Sequence, residues 1–165
     1  MRIEKENIRL VPMTAEMYRT FFSEYENDPD LCLPNQQCVR YEYSEEKVAR
    51  YVQRQIDLKR IPLAIVCDDE IVGEIVLKNV EQHECATLSI TLKNAEYKDR
   101  GIGSQAEKLA VRYVFDELDI PTLFADTLRT NVRSRHVLEK VGFRFVREDE
   151  NQIYYRIDRD SGQLK

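Results

Sequence analysis

Tryptophan is absent from this 165-residue chain, histidine occurs twice, cysteine four times, and glycine and proline five times each. These shortages exclude several classes. With so little glycine and proline there is no collagen-like tract and no flexible linker, and with no internal repeat the length fits one domain, residues 1–165. The four cysteines (Cys32, Cys38, Cys67, Cys85) form no CxxC pair, and only His83 and His136 could join them, so reduced thiols and no metal are expected. Cys67 and Cys85, in apolar strand-like settings, read as small buried hydrophobes. No run reaches the roughly 20 apolar residues that span a bilayer, and the opening MRIEKENIRL is charged where a signal peptide is apolar, so no membrane partner and a cytoplasmic location are expected. Basic excess is missing too: 25 Lys and Arg against 30 Asp and Glu give a net charge of -5, which argues against nucleic acid and suits a cationic substrate.

What the chain does have is clear alternation between periods. IRLVP (8–12) reads as a strand, after which Thr14 caps a helix carrying Tyr18, Phe21, Phe22 and Tyr25 at helical spacing. An irregular stretch, NDPDLCLPNQQ, follows. Ser44 then opens a helix with Val48, Tyr51, Val52 and Ile56 on one face, and Pro62 closes its connection to LAIVC. Asp68 and Asp69 make a turn between strands at 63–67 and 71–80, an antiparallel hairpin. In 87–92, Leu88, Ile90 and Leu92 share one face and Thr87, Ser89 and Thr91 the other. Beyond a glycine turn, Ala106, Leu109, Ala110, Tyr113 and Val114 mark a helix to about residue 118. A strand at 123–128, a helix begun by Asn131 and stopped by Gly142, and strands at 143–147 and 153–157 complete the order. The fold class is α+β, with a mixed, mostly antiparallel central sheet flanked by helices; the crossover from LSITL to TLFADTL allows one parallel pair.

The turn itself, KDRGIGSQA, places Gly101 and Gly103 between a strand and a helix. A helix N-terminus presents unpaired amides, and a backbone without Cβ atoms can close around phosphate oxygens, so an anion is the expected occupant. The triphosphate loop GxxxxGK[ST] does not fit, because SQAEK follows Gly103. GxGxxA, the dinucleotide fingerprint, fits at Gly101, Gly103 and Ala106, with Asp126 about 20 residues on. Against it stand the alternating strand before the turn and the short remainder after it, too short for several parallel βαβ units.

A second motif, NVRSRHVLEKVGF, follows some thirty residues later. Lys98, Gly101 and Gly103 with Asn131, Ser134, Gly142 and Phe143 resemble the GCN5-related N-acetyltransferase (GNAT) superfamily, and the opening IRLVPMT is similar to its ribosomal-protein N-acetyltransferase-like branch. The resemblance covers nearly the whole chain and implies acetyl-CoA as cosubstrate. It implies that the amides of Asp99, Arg100, Gly101, Ile102, Gly103 and Ser104 cradle the coenzyme pyrophosphate, with charge from Lys98 and Arg100. Ile90, Thr91 and Leu92 would then pair with the pantetheine amides, and Asn131 would reach the same arm.

Acetyl transfer to an amine requires a proton acceptor for an amine of pKa near ~10 and a proton donor for a thiolate whose parent thiol has a pKa of about 8.5. By the resemblance, direct attack in a ternary complex needs no enzyme nucleophile. The family's frequent Tyr, seven residues after the motif Asn, is Leu138 here, so Ser134 is the candidate acid, with capping or packing as its other reading. The frequent Glu at the start of the third strand is Thr87, so Glu74 is the candidate base, followed by Glu84, Asp126, His83 or a water chain; Glu74 otherwise reads as a solvent-facing strand residue. The acceptor pocket is expected from NDPDLCLPNQQCVRYEY and the last hairpin, with Tyr41, Tyr43 and Tyr154 as walls and Asp28 and Asp30 as attractants. Polyamine, aminoglycoside, free amino acid and peptide N-terminus all remain acceptors, and a homodimer remains open. A non-catalytic acyl-CoA sensor with the same fold is the competing class, and a dinucleotide-binding protein the third.

Overall fold

The computed structural model describes residues 7–27 and 40–161, in which seven strands form one sheet of order β1-β2-β3-β4-β5-β7-β6. They are β1 (Ile8–Pro12), β2 (Ile61–Cys67), β3 (Glu70–Glu81), β4 (Cys85–Leu92), β5 (Thr122–Leu128), β6 (Arg144–Glu148) and β7 (Gln152–Asp158). All neighbours pair antiparallel except β4 and β5, which are parallel. The mixed α+β sheet and its single parallel pair thus match the periodicity.

Strand β2 shows how the sheet separates two cores. Successive side chains point to opposite faces, so Leu63, Ile65 and Cys67 join one cluster and Ala64 and Val66 the other. The first face is covered by α3 (Ile102–Arg112), extended by a π-helical turn at Tyr113–Glu117, and by α4 (Val132–Val141). α1 (Ala15–Ser23) and α2 (Glu45–Asp57) cover the second, bringing Tyr18, Phe21, Phe22 and Val48 onto Ala64 and Val66. LAIVC is apolar throughout because it is buried on both sides.

Helix ends follow the expected chemistry. The Met17 N–H donates to Thr14 Oγ1 (3.1 Å), the Lys47 N–H to Ser44 Oγ (3.1 Å) and the Ser134 N–H to Asn131 Oδ1 (3.1 Å), and Gly142 ends α4 at φ 122°. Asp68 and Asp69 turn the β2–β3 hairpin with φ of 49° and 67°, the left-handed pair that a two-residue loop requires, supplied without glycine. Some expectations are corrected. Ile56 is 63% exposed; Gln55 takes the inner position at 3%, its Oε1 accepting from Arg60 Nη1 (3.3 Å). Tyr25 lies past the end of α1, and Pro62 lies inside β2. Cys67 is buried as expected, but Cys85 is only half-buried, with Sγ 3.7 Å from Glu81 Oε2. Asp28, Asp30, Cys32 and Cys38 lie outside the described residues.

Two features shape the centre of the sheet. The β4–β5 pairing runs only from Cys85↔Thr122 to Leu88↔Ala125, whereas β4 stays with β3 to Leu92 and β5 stays with β7 to Leu128. The two central strands therefore part after Leu88. Further along β4, where Gly73 faces Leu92, a Cβ on Gly73 would lie 2.6 Å from the Thr91 carbonyl oxygen, a contact real side chains do not make. Gly73→Ala should accordingly lose about 1–3 kcal/mol in denaturant unfolding, the cost of forcing β3 and β4 apart; an unchanged midpoint would show that the strands do not approach so closely.

Candidate functional site

Hydrogen-bond phase decides what the parted strand offers. The Lys93 N–H donates to the Val72 carbonyl of β3 (2.7 Å), so residues 89, 91 and 93 direct their backbone groups at β3. Ile90 and Leu92 direct theirs at the side from which β5 has withdrawn. The result is a short strand edge inside the sheet, walled by β4, by β5 through Asp126 and by α4 through Asn131, Ser134 and Leu138.

The approach to the glycine turn is pinned. Lys93, 2% exposed, bonds Glu70 Oε1 (2.8 Å) and Glu24 Oε2 (3.4 Å), and the Tyr97 hydroxyl donates to the same Glu70 oxygen (2.7 Å). These donors hold the Glu70 carboxyl below its usual range. Asp99 (φ 60°) and Gly101 (φ 79°) are both left-handed, and Gly101 is the N-cap of α3 without any side-chain cap. The first intrahelical bond is Gln105 N–H to Gly101 O (3.1 Å), so the N–H groups of Ile102, Gly103 and Ser104 precede it and carry the positive end of the helix dipole. Gly103 has no positive φ; its contribution is space, because a Cβ there would meet nothing within 4 Å. Lys98 and Arg133 line the same cleft, and Arg133 Nε bonds Asp99 Oδ1 (3.0 Å), tying the turn to α4. Burial first, then Arg133, lowers the Lys98 ammonium below its ordinary value. Bare amides, open space and two cations suit a phosphate-bearing ligand.

Ser134 and Asn131 stand at the junction of this cradle and the parted strands, lining both. Asn131 uses its oxygen to cap α4, which leaves its amide NH₂ as the donor group for the cleft. Leu138 is buried in the cleft wall, so this position offers only apolar atoms and no phenol. Glu107 was not anticipated from the sequence. It lies one turn after Gly103, 2% exposed, facing the cleft with Oε1 unpartnered, and burial alone pushes its carboxyl up to about 8. Its one signal was position: Val111 and Val114, four and seven residues on, are core residues.

Glu74 is not the solvent-facing residue that its strand position allowed. Only 4% exposed, it accepts from the Tyr18 hydroxyl at Oε2 (2.6 Å) and from the Tyr51 hydroxyl at Oε1 (2.5 Å), and burial raises its carboxyl against the pull of those two bonds. It sits opposite Thr91 in the β3–β4 register, on the α1–α2 face. Around it Tyr18, Phe22, Tyr25, Tyr41 and Tyr51 form a continuous aromatic cluster with centroids 5.0–5.9 Å apart, and Tyr25 reaches the cleft. His83 and Glu84 lie in the β3–β4 turn at the far end of β4, about 23 Å along the strand from Leu92 at ~3.3 Å per residue. Thr87 is still paired with β5 there. Tyr154 lies opposite Asp126 and donates to Asp149 (2.8 Å); Tyr43 is exposed. Among the described residues no cluster could hold a metal ion, and no helix is long and apolar enough to cross a membrane.

Residues 7–144 match the model of the acetyltransferase (GNAT) domain. The chain belongs to the GNAT acetyltransferase family, and it is an acetyl-CoA-dependent N-acetyltransferase. Among curated relatives, the spermidine N(1)-acetyltransferase of Escherichia coli K12 is 28% identical over 145 residues, covering 86% of this chain and 69% of that one. In fold it is similar to spermidine N-acetyltransferase from Vibrio cholerae in complex with CoA and spermine (TM-score 0.76, 16% identity, 93% of this chain and 96% of that one). Aminoglycoside acetyltransferase AAC(6')-Ib in complex with coenzyme A is comparable (TM-score 0.75, 14% identity, 94% and 96%). These matches identify the family without singling out its ribosomal-protein branch. The dinucleotide alternative requires consecutive parallel units, which the single β4–β5 pair does not supply.

The open space at Gly103 yields a specific expectation. Gly103→Val should leave the melting temperature of the ligand-free protein nearly unchanged while weakening acetyl-CoA binding more than tenfold in calorimetry. A variant that binds as tightly as its parent would place the cradle elsewhere.

Proposed function

We propose that this chain moves the acetyl group of acetyl-CoA to the primary amine of a small cationic acceptor of polyamine type, by direct attack of the amine on the thioester. The observation that carries this reading is the unpaired edge of Ile90 and Leu92 running into the uncapped N-terminus of α3. A pantetheine arm carries amides that complement such an edge, as an added strand would, with Thr91 on the same stretch. Its pyrophosphate would meet the amides of Ile102, Gly103 and Ser104 within the loop formed by Asp99, Arg100 and Gly101, with Lys98 and Arg133 supplying charge. Asn131 would donate to the arm.

For the acceptor, aromatic faces attract ammonium groups, and here a ring cluster that reaches the cleft through Tyr25 surrounds a buried carboxyl. The net charge of -5 favours the same class. So does the similarity to a spermidine N(1)-acetyltransferase. Both Glu74 oxygens are occupied by tyrosines, so Glu74 would accept the amine proton through Tyr51: the amine gives a proton to the Tyr51 oxygen as the Tyr51 hydroxyl proton passes to Glu74. Ser134, at the junction of cradle and strand edge, would donate to the departing thiolate.

Thiol release from acetyl-CoA in a panel of spermidine, an aminoglycoside, a free amino acid and a peptide with a free N-terminus tests the acceptor class. Turnover is expected with spermidine foremost; turnover confined to the peptide or the neutral amino acid would refute the cationic class. On the accepted amine, Ser134→Ala should lower kcat with acetyl-CoA affinity intact, since it acts mainly in the transition state. Glu74→Gln and Tyr51→Phe should lower the rate roughly 10²-fold or more at neutral pH and regain part of it at high pH, where more amine is already deprotonated. Losses under threefold in all three folded variants would withdraw these roles.

A further inference from the structure

The cleft contains a buried acid that the chemistry above does not use. Glu107 faces it beside Leu92, Gly103, Asn131 and Ser134, with Oε1 sealed from solvent and without a hydrogen-bond partner in the protein. A buried polar atom of this kind is costly, and in a native structure it calls for a physical explanation. The ionisable groups sharing the cleft are Lys98 from the turn, Arg133 from α4, and Tyr25 and Glu26 beyond α1; β4 contributes only Ile90, Thr91 and Leu92. From the other elements against α3, Glu74 of β3 is engaged on the opposite face and Arg9 of β1 pairs with Asp69 (3.3 Å). None of them is a cause of the Glu107 shift, which is burial alone, so the group is a neutral acid at neutral pH.

A neutral carboxyl group places one O–H donor beside one carbonyl acceptor. Its O–H can donate to the carbonyl of a secondary amide; because such an amide is trans, its N–H points the other way, so one carboxyl meets one end only. The pantetheine arm carries two such amides. We propose that Glu107, in its neutral form, donates one hydrogen bond to an amide carbonyl of the acyl-carrier arm, adding an amide contact from α3 to those offered by β4. This rests on the coenzyme reading given above. It makes Glu107 a positioning residue: no proton is consumed, and no bond in the arm is broken.

The pH dependence follows from the raised acidity constant. The ordinary value is 4.5 and the folded value about 8, so the native state holds a proton the unfolded chain has released between those limits. Ligand-free stability therefore falls as pH rises from about 4.5 through 8, and the arm contact is lost as the acid ionises above about 8.

Binding of acetyl-CoA, without acceptor, and of 3',5'-ADP, which lacks the arm, is to be measured by calorimetry between pH 7 and 9 for the parent, Glu107→Gln and Glu107→Leu. The parent should lose about tenfold in acetyl-CoA affinity across this range, roughly one hydrogen bond's worth. Glu107→Gln, which keeps a donor and an acceptor but does not titrate, should bind within twofold of the parent at pH 7 and stay flat. Glu107→Leu should bind about five- to tenfold more weakly at pH 7, and all three should bind 3',5'-ADP alike. Parent-like acetyl-CoA binding by Glu107→Leu, equal losses for both ligands, or a Glu107→Gln profile that falls like the parent's would overturn the assignment. If Glu107→Leu does not fold, the parent and Glu107→Gln profiles decide alone. A parent protein that binds neither ligand would instead refute the coenzyme reading.

Discussion

The separation of β4 from β5 after Leu88 and Ala125 is the constraint on which the rest of the site depends. A parallel pair buried in a sheet normally satisfies every backbone group along its length. Here each strand keeps its outer neighbour, β4 with β3 and β5 with β7, and gives up only the shared inner edge. The exposed groups are therefore few and aligned, and they lie on a strand whose other edge is fixed. A ligand with amides at strand spacing meets a preorganised partner, and little ordering entropy opposes binding.

The surrounding structure keeps this edge in place. Lys93, at the end of β4, is buried between Glu24 and Glu70 and sets the direction of the chain toward the turn. Asp99 and Gly101 then turn it with left-handed backbone, and α3 begins with its amides uncovered. Two buried acids flank the edge from opposite faces of the sheet. Glu74 has both oxygens satisfied by tyrosines, while Glu107 has one satisfied by nothing in the protein. The first arrangement is complete within the protein; the second leaves an acid without a protein partner at the wall of the cleft.

Much of this architecture was legible in the residues, because local chemistry and tertiary structure agree there. Thr14, Ser44, Asn131 and Gly142 punctuate helices by capping, and β4 alternates apolar and polar residues by period. The glycine turn stood out at Gly101 and Gly103, and the structure divides their roles: Gly101 takes the left-handed φ and Gly103 leaves empty space. Ile56 was misplaced because the helical template fits Gln55 nearly as well, and Gln55 gains a partner in Arg60 that no periodicity reveals. The burial of Glu74 was hidden for a similar reason, since its two tyrosines come from helices 56 and 23 residues away in sequence. The parting of β4 from β5 left no trace in composition, as it depends on where pairing stops and not on which residues pair.

Amide hydrogen exchange at Ile90 and Leu92 tests the central claim most directly. The account predicts that saturating acetyl-CoA slows both amides strongly, whereas 3',5'-ADP, lacking the arm, slows Ile102, Gly103 and Ser104 and leaves Ile90 and Leu92 as they were. Unchanged exchange at Ile90 and Leu92 in the acetyl-CoA-saturated protein would contradict it, and would mean that the parted strand is not where the acyl carrier lies.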